Sequence, residues 1–136
     1  MIQRIQSVWL LIASIITFLT LKLSFYSGTY LPDNLYHQLN GTQNLPLMIA
    51  TIGLGVLTLI TIFLYKNRPT QLWLCIVAIL LDVVLLFLYY RETSSFTRGD
   101  YAFTAVLHFI IITAVLLAAR GINKDEKLIK DSNRLR

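Results

Sequence analysis

Cysteine and charge are both scarce in this chain, and each scarcity excludes something. One of the 136 residues is a cysteine, Cys75, so no internal disulfide can form and no CxxC redox or zinc motif can be built. Charged residues make up 14% of the chain and hydrophobic ones 56%, against roughly 25% and 45–50% in an ordinary soluble domain. That balance argues against a water-soluble globule. Also missing are a nucleophile elbow, a phosphate-binding glycine loop, an HExxH helix and a paired-carboxylate motif, so no enzyme signature is found. The net charge of +5 does not point to nucleic acid, because the basic residues cluster at the edges of apolar segments rather than on an aromatic-interleaved surface.

The chain does contain four apolar runs. They extend over about 8–23, 45–65, 71–90 and 101–119, each near the ~20 residues that cross ~30 Å of hydrocarbon as a helix. The expected architecture is therefore an all-α membrane protein: a single domain over 1–136, four antiparallel transmembrane helices in a bundle, and a cytoplasmic tail over 120–136. The first run resembles a signal peptide but lacks the paired small residues that a peptidase reads, since Lys22, Phe25 and Tyr26 intervene; it is expected to be retained. Pro46 suits the first turn of the second span, where its missing N–H costs nothing. The hinge over 66–70 permits only a tight hairpin, which makes spans two and three neighbours. The segment over 24–44 carries Gly28, Pro32, Asp33, Asn34, Asn40 and Gly41 and reads as a loop. Gly121 reads as a C-cap, followed by a short charged helix from Lys124 to Asp131.

Lysine and arginine set the orientation, because cytoplasmic flanks retain positive charge during insertion. Arg4, Lys66, Arg68, Arg120, Lys124, Lys127, Lys130, Arg134 and Arg136 fall on one side, and Lys22, Arg91 and Arg98 on the other. Both termini are thus expected in the cytoplasm. Aromatic residues near the span ends agree, with Trp9, Tyr65 and Trp73 on the inner side and Tyr26, Tyr89, Tyr90 and Tyr101 on the outer.

Two ionisable residues interrupt the apolar interior, Asp82 in span three and His108 in span four. An intramembrane charge costs at least about 2.5–3.5 kcal/mol and is a functional candidate by default. Asp82 lies roughly 16 Å and His108 roughly 18 Å from the cytoplasmic ends of their helices at the helical rise, so a hydrogen-bonded pair is geometrically open. Such a pair can relay protons, because histidine is the side chain whose protonation is tunable across neutral pH. It can equally be a structural clamp that fixes helix register. One His and one Asp make a poor metal set, and a lone intramembrane His cannot supply both axial ligands of a haem; no cofactor is expected. Ala13, Thr17 and Thr20 in span one, and Thr51, Gly55 and Thr58 in span two, recur at helical spacing. They suit close backbone approach, or, in the alternative, a polar conduit.

Both ends of the chain carry a resemblance. The opening Met1-Ile2-Gln3-Arg4-Ile5-Gln6-Ser7-Val8 with Trp9, and the closing Arg120-Gly121-Ile122-Asn123-Lys124-Asp125-Glu126-Lys127-Leu128-Ile129 with Asn133-Arg134-Leu135-Arg136, resemble the small four-span proteins of Bacteroidota grouped as domain-of-unknown-function family 4293. Asn133 departs from the family's more usual Asp. The resemblance implies an inner-membrane protein with no assigned biochemistry. It also directs attention to the termini, where Gln3, Arg4, Gln6, Arg120, Lys124, Asp125, Glu126 and Lys127 can form one cytoplasmic docking surface, with Arg4 facing Asp125 or Glu126. The alternative is a topology anchor gripping anionic headgroups.

The expected function is a non-enzymatic accessory or scaffold subunit of an inner-membrane complex. Its partners would be the bilayer and a membrane or cytoplasmic protein. The competing expectation is a small proton-coupled transporter with Asp82 and His108 as its relay pair. An intramembrane enzyme acting on lipid would need His108 as base and a nucleophile, for which the sequence offers only scattered hydroxyls.

Overall fold

The computed structural model describes residues 3–134, with side chains from Ile5 onward. Four helices account for most of it: α1 (Gln3–Thr20), α2 (Leu45–Phe63), α3 (Arg68–Thr93) and α4 (Ala105–Arg134). They pack in a closed ring, α1 against α2 and α4, and α3 against α2 and α4. In α3 the buried residues are Gln71, Cys75, Ala78, Asp82, Leu85 and Tyr89, alternating steps of four and three that keep one stripe inward. Leu80, Val84 and Phe87 on the same helix are nonetheless exposed and apolar. A helix apolar all round needs a solvent other than water.

Helices α2, α3 and α4 are long and apolar enough to cross a membrane, and only 33%, 28% and 33% of their most apolar segments are buried within the protein. The apolar part of α1, Ile5–Thr20, is shorter. The expected first span over 8–23 overruns this helix, because Leu21 to Leu23 turn away into a strand.

The chain is not all-α. Strands β1 (Ser24–Tyr30), β2 (Tyr36–Asn40) and β3 (Phe96–Tyr101) form an antiparallel sheet in the order β2-β1-β3. The segment over 24–44 expected as a loop is a hairpin, reversed through Asn34 at φ 52°, a left-handed conformation that Asn tolerates better than most residues. β3 supplies the third strand from the α3–α4 connection, with Ser27 opposite Asp100 and Gly28 opposite Gly99. Span four accordingly begins at Ala105 and not at Tyr101, which lies in β3. A register shift between Ser24 and Tyr26 lets the consecutive side chains of Phe25 and Tyr26 both be buried, which a regular strand forbids.

At the other end, α4 continues without a break to Arg134, so the expected cap at Gly121 and the separate charged helix merge into one element. A C-cap of that kind needs positive φ, and no described glycine has it. Gly121 serves instead as a point of close approach: a Cβ there would lie 2.7 Å from Gln6 Cγ of α1.

Candidate functional site

Asp82 and His108 meet in the core. Asp82 on the inward stripe of α3 and His108 on that of α4 bring His108 Nδ1 to 2.7 Å from Asp82 Oδ1. Their exposures are 0% and 1%. Against an ionised carboxylate, which can only accept, Nδ1 carries the proton and donates. The second carboxyl oxygen, Asp82 Oδ2, is buried and has no hydrogen-bond partner among the described residues.

Three aromatic rings close over this pair. Phe25, carried inward by the irregularity in β1, stacks on Tyr89 with centroids 4.3 Å apart and planes 16° from parallel. Phe25 also meets His108 edge-on at 5.8 Å, while Tyr89 reaches the imidazole at 5.5 Å. Tyr101 abuts Phe25 at 6.0 Å and 86°. The sheet is tied down around this lid: Ala102 N–H donates to the Phe25 carbonyl at 2.9 Å, Tyr26 Oη to the Gly99 carbonyl at 2.9 Å, and the Thr104 hydroxyl to the Ser24 carbonyl. Tyr89, expected among the outer interfacial aromatics, is a core residue, 1% exposed, and Tyr26 is buried with it. Thr104 precedes α4, so it does not share a helical face with His108. Sequence reasoning missed Phe25 and Tyr89 as parts of the site; the signal for Tyr89 was its place on the same helical stripe as Asp82, seven residues away.

The threonine stripes are inward as well, but their hydroxyls are committed. Thr17 donates to the Ala13 carbonyl at 2.7 Å, Thr20 to Thr17 at 2.7 Å, Thr51 to Leu47 at 2.7 Å, and Thr58 to Leu54 at 3.0 Å and to Gly55 at 2.9 Å. Back-bonding of this kind leaves no hydroxyl proton to line a conduit. Ser14 reaches across from α1 to the Gly55 carbonyl at 3.2 Å, and a Cβ on Gly55 would lie 2.8 Å from the Phe18 ring. These are contacts of close helix packing.

At the terminal end, Gln6 Nε2 donates to Asp125 Oδ2 at 2.7 Å, and both residues are buried. They join α1 to α4 and are not part of an exposed surface. Glu126 pairs with Lys130 on its own helix at 2.7 Å. Among the described residues, Asp125 is held by Gln6 and Glu126 by Lys130, and the expected meeting of Arg4 with either carboxylate falls outside them. The side chains of Gln3 and Arg4 lie outside the described residues. Arg120, Lys124 and Lys127 are exposed. Successive helical rotation places them with Leu128 and Asp131 on one outward face of α4.

The family described as Domain of unknown function (DUF4293) matches residues 2–135. The chain belongs to that family. Comparison with curated proteins and with solved structures found no match for this DUF4293 member. Its chemistry is therefore read from its own geometry: a desolvated Asp–His pair under an aromatic lid, and a charged helical extension pinned at its root. Among the described residues, no group of three or more His, Cys, Asp or Glu side chains converges as a metal site would require.

Proposed function

We propose that this chain is a multi-pass protein of the inner membrane of a Bacteroidota bacterium, with all four helices crossing and both termini in the cytoplasm. We further propose that it acts as a non-enzymatic accessory subunit that presents the C-terminal part of α4 to a protein partner. The distribution of Lys and Arg supports the orientation, nine on one side and three on the other. Length supports the presentation: the 30 residues of α4 extend ~45 Å at the helical rise, about 15 Å more than the hydrocarbon core needs.

The observation that carries the proposal is the buried Gln6–Asp125 bond beside Gly121. It fixes α4 at the point where the helix leaves the apolar layer, so Lys124, Lys127 and Leu128 project from a rigid support. Preorganisation of that kind lowers the ordering cost of binding. Affinity purification from native membranes, after mild solubilisation, is expected to recover a stoichiometric partner that Lys124→Glu with Lys127→Glu releases. Recovery of this chain alone under several mild conditions would end the proposal.

One observation favours the transporter reading, the unpartnered Asp82 Oδ2, which offers a place for a transferable proton. Proton-coupled flux in proteoliposomes that Asp82→Asn abolishes would support it, and unchanged flux would dismiss it.

A further inference from the structure

The hinge between α2 and α3 and the projecting part of α4 enclose a cleft of about 480 Å³, lined by Tyr65, Lys66, Arg68, Glu126, Ile129 and Lys130 among others. That volume lies within the roughly 300–1,000 Å³ of small-molecule sites. The cleft uses the face of α4 formed by Glu126, Ile129 and Lys130, which helical rotation separates from the outward face of Lys124, Lys127 and Leu128. Three of its side chains are cationic and one is anionic. The carboxylate of Glu126 is already engaged by Lys130 at 2.7 Å, which leaves Lys66 and Arg68 without an anionic counterpart among the described residues.

Arg68 points most directly to a ligand. Its Nη1 is buried from solvent and has no hydrogen-bond acceptor among the described residues. Arg68 as a whole is half-buried, but a guanidinium has five N–H donors and no acceptor, and donors shut from solvent normally find a carboxylate, phosphate or carbonyl. Arg68 is also the first residue of α3, where the positive end of the helix dipole favours an anion. The surroundings are those of a membrane interface: Tyr65 and Trp73 are exposed at this end of apolar helices, and Ile129 gives the cleft an apolar wall.

We infer that this cleft is a binding site for the phosphate headgroup of an anionic phospholipid, with Arg68 and Lys66 as the phosphate ligands and Glu126 as a brake that holds Lys130 away from the lipid. The inference rests on the membrane reading above and is independent of the protein partner. Arg forks match phosphate oxygens in pairs, and Lys adds a point charge. Basic pockets between helices at the membrane face recognise headgroups in this way.

The test is native mass spectrometry of the full chain in detergent, titrated with phosphatidylglycerol and, separately, phosphatidylcholine. Phosphatidylglycerol is expected to bind preferentially. Lys66→Gln should weaken it about fivefold and Arg68→Gln about tenfold, the scale of one lost cation–headgroup contact and of one with paired hydrogen bonds. Glu126→Gln should strengthen binding several-fold by freeing Lys130, a gain that misfolding cannot mimic. Lys124→Gln, on the outward face, should leave it unchanged. Equal losses for Arg68→Gln and Lys124→Gln, equal binding of the two lipids, or unchanged binding in Glu126→Gln would each overturn the site. Arg68-dependent binding of inorganic phosphate that displaces the lipid at millimolar concentration would overturn the lipid as its source. Loss of the protein partner leaves this titration unaffected, whereas a chain that stays monomeric and folded without detergent would refute the membrane reading itself.

Discussion

Replacing His108 by Ala is the most informative single perturbation of the core. Asp82 already has one oxygen without a partner, and this substitution orphans the other, 2.7 Å from where the imidazole stood. Asp82 has no exposed surface through which water could compensate. Breaking a buried pair from one side costs about 3–5 kcal/mol. Asp82→Asn keeps an accepting oxygen and the shape of the side chain, so its cost is about 1 kcal/mol. The double replacement Asp82→Leu with His108→Phe removes both polar groups at similar volume and should be less destabilising than either apolar single variant, since apolar substitutes for buried pairs are often neutral. Interhelical hydrogen bonds in membranes average ~0.6 kcal/mol, so a coupling well above that marks a pair held where no other partner can replace it. Reversible SDS unfolding in mixed micelles, followed by the fluorescence of Trp9 and Trp73, measures the wild type, His108→Ala, Asp82→Asn, and the cycle of Asp82→Leu, His108→Phe and their double. Additivity of the single variants to within about 0.5 kcal/mol would refute the reasoning, because it would mean that the two groups do not interact.

Phe25→Ala removes the ring stacked at 4.3 Å on Tyr89 and should cost about 3–5 kcal/mol, with faster amide exchange around His108 as the lid opens. Gly121→Leu drives a side chain into Gln6 and should destabilise by about 1–3 kcal/mol, with amide protection lost mainly beyond residue 121 of α4. Thr58→Val should change stability by less than about 1 kcal/mol in the same micelle assay, because the hydroxyl it removes bonds only to carbonyls of its own helix.

The helices were legible because their signal is local. Apolar length and the four-three spacing of Gln71, Cys75, Ala78, Asp82, Leu85 and Tyr89 lie within single segments. The matched depths of Asp82 and His108 followed from counting along two such helices. The sheet was not legible, because β1 and β3 pair across some 70 residues and no single strand announces a distant partner. Pro32, Asp33 and Gly41 do lie in turns, but Gly28 and Asn40 sit in β1 and β2, where the neighbouring Tyr, Thr and Phe are strand formers that outweigh them. Phe25 lay hidden for the same reason: its inward aim depends on an irregularity that only the paired strand reveals. Gly121 was misread because a glycine near a helix end has two uses, a left-handed cap and a close approach, and the presence of Gln6 opposite it decides between them. Of the residues expected on the docking surface, Gln6 and Asp125 are buried. Gln6 and Asp125 turned inward because each is the hydrogen-bond partner of the other across two helices that sequence alone does not pair.

Photo-crosslinking in native membranes, with the reactive group placed in turn at Leu128 on the outward face of α4 and at Phe109 on its apolar segment, tests the accessory-subunit account most directly. The account predicts one protein adduct of fixed mass from Leu128, abolished by Lys124→Glu with Lys127→Glu, and mainly lipid adducts from Phe109. An absence of any protein adduct at Leu128, or an adduct that the two charge reversals leave intact, would contradict it.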